Sequence, residues 1–164
     1  MKVAMIAAIY TVLSLVLAPL SYGPIQVRIA EGLTLLPFIY QPSIYGVTIG
    51  CFLTNLIGAM MGANPTGIID SVVGTIATLL AALCTYYFRN RTIKGVPVLS
   101  ILSPVIFNGI IIGVELGILL FPDNVLMGSI TCGIQVAIGE LISVLIGYFI
   151  IKFTNIKKIL EEAV

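Results

Sequence analysis

A few acidic and amide side chains interrupt a sequence that is otherwise apolar. Four of these acids lie within or beside long apolar runs: Glu31, Asp70, Glu115 and Glu140. Placing an ionised side chain at the centre of a membrane helix costs about 2.5–3.5 kcal/mol on insertion scales, so such residues usually face a bundle interior or a cavity. Carboxylates accept hydrogen bonds and attract cations, and amides both donate and accept. These residues predict a polar site for a small cationic or donor-rich molecule.

The densest group of candidate residues lies between residues 21 and 31. Arg28 and Glu31 are three positions apart, so on a helix they share a face and can neutralise each other. One interpretation is a loop that covers the site, with Gln26 reaching a ligand. The alternative is an Arg28–Glu31 pair that only orders the loop. Tyr22 can either stack on a planar ligand or anchor the chain at the membrane interface.

Three later stretches supply further candidates. Asn108 and Glu115 are seven positions apart, so they face the same direction on a helix, or Asn108 bonds to a neighbouring helix instead. Gln135 and Glu140 are separated by about 140° around a helix, so we expect only one to point into a site. Glu140 is preferred because it is costlier to bury, and Gln135 stays a candidate. Asp70 fits a site or a helix cap equally well.

Missing residue types exclude several functions. The chain has no histidine, which is the commonest metal ligand and general base. Cys51, Cys84 and Cys132 lie in apolar runs without paired spacing and are interpreted as small buried residues. Phosphate-binding and hydrolase motifs are absent. We therefore predict a protein that is not an enzyme and has no metal or cofactor; the net charge of +1 argues against a nucleic-acid partner.

The elements that must position these residues are membrane helices. Of the 164 residues 59% are apolar and 9% are charged, whereas soluble domains carry about 25% charged residues. The charge-free stretches are long enough for apolar helices of roughly 20 residues. Proline, glycine and basic turns divide them, which predicts an all-α, integral membrane six-helix bundle in a single domain. The predicted helices are residues 2–20, 27–40, 42–61, 68–88, 96–121 and 125–153, followed by a short amphipathic helix over 154–164. The N-terminal run is expected to be the first helix rather than a signal peptide.

Charge asymmetry predicts the orientation of the bundle. With six spans, seven of the eight basic residues fall on one side, which is then cytoplasmic and holds both termini. The eighth, Arg28, lies on the outer side. Most of the acids also map toward the outer side, with Glu140 deeper. This distribution predicts a polar pocket that faces outward.

Five segments then resemble the signatures of a known family. They are A-P-L-S-Y-G-P-I-Q-V-R-I-A-E at 18–31, G-C-F-L-T-N at 50–55, D-S-V-V-G-T at 70–75, S-P-V-I-F-N-G at 103–109 and A-I-G-E-L at 137–141. The chain resembles the QueT family of substrate-binding S components of energy-coupling factor (ECF) vitamin transporters. Ser103 departs from the family pattern, in which a second proline is expected. The resemblance implies six helices, a cytoplasmic N-terminus, and a site near the outer face formed by the first outer loop and helices four to six.

The same resemblance implies the ligand, a queuosine precursor such as 7-aminomethyl-7-deazaguanine. A guanine-like edge presents N–H donors and a carbonyl, which carboxylate and amide groups recognise in other base-binding proteins. Arg28 is expected to balance Glu31. The remaining roles stay open: Glu115 or Glu140 for the donor edge, Asp70 or Glu31 for the ammonium group, and Asn108 and Gln26 for the heterocycle.

The resemblance also implies partners. Ala4 and Ala8 on the first helix have the spacing that lets another helix approach closely. In S components such residues contact a transmembrane coupling protein joined to two ATPase subunits. The alternatives are an S component for another small polar or cationic nutrient, an intramembrane enzyme, and a structural membrane protein.

Overall fold

The computed structural model describes residues 1–22, 26–64 and 66–162, and no strand forms among them. The predicted all-α class is confirmed. The elements in chain order are α1 (Lys2–Val16), α2 (Ala18–Ser21), the 3-10 helix η1 (Ile29–Phe38), α3 (Ser43–Met60), α4 (Ile69–Tyr87), α5 (Val98–Leu120), the 3-10 turn η2 (Pro122–Asn124), α6 (Val125–Phe153) and α7 (Ile156–Glu162).

The first predicted helix is broken near its end. Instead of running to residue 20, α1 ends at Val16, and Pro19 lies in the first turn of the short α2. Proline has no N–H group and its ring collides with the carbonyl four residues earlier, which favours a break in the helix there. The predicted turn continues through Gly23 and Pro24, which lie outside the described residues.

The second predicted helix is the shorter, 3-10 helical η1, with Pro37 inside it. Ten residues of 3-10 helix rise about 20 Å, and the 15 residues of α1 rise about 22 Å, against a hydrocarbon core of roughly 30 Å. In the described part of the chain, four helices are long and apolar enough to cross a membrane: α3, α4, α5 and the segment Pro122–Phe153. The six-span topology therefore stays a prediction.

Close backbone contacts hold η1 and α5 against α6. A Cβ atom on Gly147 would lie 2.2 Å from the carbonyl oxygen of Gly32, and one on Gly113 would lie 2.5 Å from the Cα of Gly133. Such distances are possible only without side chains, as at other tight helix crossings in membranes. The Gly32 contact fixes the position of η1, and therefore that of Glu31 beside it.

Two basic residues, Lys2 and Arg89, lie beside tyrosines that pack on one buried cluster. The ammonium group of Lys2 donates to the carbonyl of Leu160 at 2.5 Å and lies 5.5 Å from the Tyr40 ring. Arg89 lies 3.9 Å from the ring of Tyr86, which packs on the same buried cluster as Tyr40. We call this the basic end.

Large apolar side chains cover much of the outer surface of the bundle. Ile110 is 62% exposed and Leu126 is 75% exposed, and many similar residues lie on α3 to α6. A contiguous apolar surface of this kind is what a lipid environment requires.

Candidate functional site

A polar cavity lies where η1, α4, α5 and α6 meet. It is closed tightly enough to hold only about one water molecule. Most of its lining is polar. The lining residues are Gln26, Arg28, Glu31, Asp70, Gly74, Thr78, Asn108, Ile112, Val136 and Glu140.

One wall of the cavity is formed by Asn108 on α5 and Glu140 on α6. Both are buried, and the amide of Asn108 lies against the carboxylate of Glu140. Among the residues that the structure describes, neither Nδ2 of Asn108 nor Oε2 of Glu140 has a hydrogen-bond partner. An unpaired buried polar atom costs about 1–3 kcal/mol, so this wall is poised to bind a polar molecule.

A second part of the lining centres on Glu31, which is only 2% exposed. The hydroxyl of Tyr10 donates to its Oε1, and Oγ1 of Thr78 donates to the same oxygen at 3.3 Å. Oε2 of Glu31 accepts no hydrogen bond from any described residue. One oxygen is therefore held by the protein and the other is available.

Arg28 forms its ion pair with Asp70 rather than with Glu31. Nη2 of Arg28 lies 3.7 Å from Oδ2 of Asp70, which also accepts a 2.8 Å hydrogen bond from Asn64. The expected Arg28–Glu31 pairing assumed a common helix face. Arg28 instead precedes η1 with an extended backbone, φ −88° and ψ 92°, so the three-residue spacing does not align the two side chains.

The outer loop rests against the same site. Gln26 is half-buried in the cavity lining, and its carbonyl would lie 2.4 Å from a Cβ atom on Gly139. Tyr22 does not line the cavity; its hydroxyl donates to the Thr54 carbonyl at 3.1 Å, and its ring lies 5.3 Å from the guanidinium of Arg28. Tyr22 thus packs on α3 and on Arg28.

The charges of the cavity lining leave an excess of negative charge. The lining has one guanidinium, that of Arg28, and three carboxyl groups, so its formal charge is negative. Arg28 pairs with Asp70 and also attracts Glu31 and Glu140, which are close enough to interact with each other. Like charges in a poorly solvated space repel, and a cation between them relieves the repulsion. The arrangement can therefore bind a cation together with N–H donors.

Comparison with known families identifies the class of protein. The QueT transporter family matches residues 1–155. The chain belongs to this family. A curated relative, Queuosine precursor transporter QueT of Lactococcus lactis subsp. cremoris (strain MG1363), is 35% identical over 80 residues. That alignment covers 48% of this chain and 43% of the relative, so it spans less than half of the relative's length. No solved structure matches the chain.

Membership of the QueT transporter family confirms the resemblance seen in the sequence. Together with the four long apolar helices, it makes this chain a multi-pass protein of the cell membrane.

Besides Tyr22, two candidate residues of this QueT-family chain lie outside the cavity. Glu115 is buried between α4 and α5 beside an apolar cleft, and neither of its carboxylate oxygens has a hydrogen-bond partner in the described ranges. Gln135 is half-buried and does not belong to the cavity lining, where its neighbour Val136 is found. The predicted partner residues Ala4 and Ala8 are exposed on α1, whereas Ala7 is buried.

Sequence reasoning assigned no role to several residues that build the site. Tyr10 and Thr78 hold Glu31, Asn64 holds Asp70, and Cys51 lies 3.2 Å from Oγ1 of Thr78. These side chains are uncharged and lie in apolar runs or turns, so no charge pattern indicates them. The one available signal was the hydroxyl of Thr78, two turns after Asp70 on the same helix.

Proposed function

We propose that this chain is the substrate-binding membrane subunit, or S component, of an ECF-type importer, and that it takes up a queuosine precursor, 7-aminomethyl-7-deazaguanine. The observation that carries the proposal is the closed cavity in which three carboxyl groups, of Glu31, Asp70 and Glu140, share a single arginine. Family membership and the printed name of the Lactococcus relative support the choice of substrate.

The chemistry of this ligand fits the cavity lining. The ligand carries one ammonium group and a guanine-like edge with N–H donors and a carbonyl. Carboxylates accept from such donors, and an amide can pair with the carbonyl, as in base recognition elsewhere. Glu31 and Glu140 supply the acceptors, and Asn108 and Gln26 supply the amides.

Binding requires the cavity to open. A space with room for about one water cannot hold a two-ring heterocycle. Arg28 and Gln26 lie in the loop segment that precedes η1, whereas α4, α5 and α6 are long packed helices. We propose that this loop moves outward to admit the ligand and then covers it.

The proposed topology places the basic end in the cytoplasm, with six spans and both termini on that side. The exposed Ala4 and Ala8 would contact the transmembrane coupling protein, and two partner ATPase subunits would supply the energy. The exposure of both alanines on α1 supports this contact.

Equilibrium binding tests the proposal. We expect the purified chain to bind 7-aminomethyl-7-deazaguanine in isothermal titration calorimetry. We also expect Glu140→Gln to weaken binding by roughly 10-fold or more, because hydrogen bonds to charged groups contribute about 1.5–3 kcal/mol.

The matched control is Asp123→Asn, which removes an exposed carboxylate in η2, away from the cavity. Its affinity should equal that of the unaltered chain. Failure to bind any deazapurine would contradict the proposal. Tight binding of another small cationic nutrient in its place would identify the chain as an S component with a different substrate.

A further inference from the structure

We propose that two different carboxylates in the cavity bind the two ends of the ligand. Glu140, with Asn108, binds the guanine-like edge, and Glu31 binds the ammonium group. This inference rests on the proposed function, and it assigns the residues that separate an aminomethyl ligand from its uncharged analogues.

The unpaired atoms of the cavity mark where a ligand binds. Within the described ranges, Oε2 of Glu31, Oε2 of Glu140 and Nδ2 of Asn108 are buried without hydrogen-bond partners. Almost all buried polar groups in folded proteins are hydrogen-bonded, so each exception calls for a partner from elsewhere. Two free acceptors and one free donor together describe the molecule that fits.

Asn108 and Glu140 form the unit that fits the heterocycle. Their side chains lie against each other on neighbouring helices and present a donor beside an acceptor. The guanine-like edge has the complementary order, a carbonyl followed by N–H donors. Nδ2 of Asn108 therefore donates to the carbonyl, and the carboxylate of Glu140 accepts from the ring N–H and the 2-amino group.

Glu31 fits the ammonium group because it has one free oxygen. Its Oε1 already accepts from Tyr10 and Thr78, which fixes the carboxylate in position. The remaining oxygen can accept from the ammonium group, whereas Glu140 has beside it the amide of Asn108, which the carbonyl of the heterocycle needs. On the ligand, the aminomethyl substituent lies on the other side of the carbonyl from the ring N–H donors, so the two carboxylates need not compete.

Asp70 is not available for the ammonium group. Its Oδ2 accepts from Asn64 at 2.8 Å and lies 3.7 Å from the guanidinium of Arg28. A cationic group placed there would meet the positive charge of Arg28. This ion pair borders the site without contributing a free carboxylate.

Three ligands and two main variants test the assignment, with Glu31→Asp and Asp123→Asn as controls. The ligands are 7-aminomethyl-7-deazaguanine, the analogue with a nitrile in place of the aminomethyl group, and the aminomethyl analogue that lacks the 2-amino group. The main variants are Glu31→Gln and Glu140→Gln in the full chain. Affinities are measured by calorimetry in detergent, and circular dichroism with thermal unfolding checks that each variant is folded.

We expect Glu31→Gln to weaken binding of the aminomethyl ligand by about 10- to 100-fold and to leave the nitrile affinity within about threefold. Glu140→Gln should weaken both ligands by similar factors and should remove most of the loss caused by deleting the 2-amino group. Glu31→Asp keeps the charge and should retain part of the preference for the amine. Asp123→Asn should change none of the affinities.

The assignment is overturned if Glu31→Gln weakens the amine and the nitrile equally, or if Glu140→Gln alone removes the preference for the amine. If Glu31→Gln does not fold, Glu31→Asp decides instead, since it should weaken the amine more than the nitrile. An unaltered chain that binds none of the three ligands would contradict the proposed function itself. The two failures are therefore distinguishable.

Discussion

The ion pair between Arg28 and Asp70 should be a major contribution to the stability of the site. Both side chains are buried, with Arg28 8% and Asp70 5% exposed, and their charged atoms are 3.7 Å apart. At an effective dielectric constant of about 20, Coulomb's law gives an attraction of roughly 4.5 kcal/mol at this distance. Desolvation offsets part of it, but removing one partner leaves the other charge buried alone. Breaking such a pair typically costs about 3–5 kcal/mol.

A double-mutant cycle measures this pair directly. We expect Arg28→Met and Asp70→Asn each to lower the free energy of unfolding by about 3–5 kcal/mol. The double variant should lose less than the sum, giving a coupling energy of about 2–4 kcal/mol. Because the chain contains no tryptophan, unfolding is best followed by far-UV circular dichroism during titration of dodecyl sulfate into mixed micelles.

The control is a second double-mutant cycle that combines Arg28→Met with Glu31→Gln. It measures the coupling between Arg28 and Glu31, the pair predicted from their spacing in the sequence. The coupling between Arg28 and Glu31 should be clearly smaller than that between Arg28 and Asp70. If the double variant loses no more stability than Arg28→Met alone, the whole effect of Asp70→Asn comes from the ion pair. A coupling near zero for Arg28 with Asp70, or a larger one with Glu31, would show that Asp70 is not the main partner of Arg28.

Four further perturbations give separate tests. Gly147→Ala places a Cβ atom 2.2 Å from a carbonyl oxygen of η1, so it should lower the free energy of unfolding by about 1–3 kcal/mol; unchanged stability would contradict the close packing of η1 on α6. Tyr10→Phe removes a donor to Glu31 and should cost about 1.5–3 kcal/mol in the same assay, with no loss if that hydrogen bond is absent. Glu115→Leu removes a buried carboxylate without partners in the described chain, so the protein should become more stable by about 1–3 kcal/mol, and a less stable variant would indicate a partner. Ala8→Trp should abolish uptake by the assembled importer while ligand binding by the isolated chain is unchanged; normal uptake would exclude this face as the partner contact.

Helix positions were largely predictable because prolines, glycines and charges mark them. Predicted helices at 42–61, 68–88 and 96–121 correspond to Ser43–Met60, Ile69–Tyr87 and Val98–Leu120. The same reasoning did not show that residues 29–38 form a 3-10 helix. That geometry depends on Pro37 and on the contact of Gly32 with Gly147, and the second of these joins residues far apart in the sequence.

The site was predictable in its charged residues but not in their pairings. Glu31, Asp70 and Glu140 were candidates because acids are costly in apolar segments. The partner of Arg28 could not be inferred from the sequence, since Asp70 is 42 positions away. Glu31, only three positions away, was the carboxylate that the spacing indicated as the partner. The hydrogen bond from Tyr10 to Glu31 could not be predicted from the sequence, because Tyr10 carries no charge and the bond depends on the packing of α1 beside η1.

The proposed binding mode would be tested by a structure of the chain with 7-aminomethyl-7-deazaguanine bound. We expect the heterocycle to lie between Asn108 and Glu140, with the ammonium group within hydrogen-bond distance of Glu31 and with the Arg28–Asp70 pair intact. Ligand density elsewhere, such as in the apolar cleft beside Glu115, or a ligand turned so that its ammonium group meets Glu140, would contradict it.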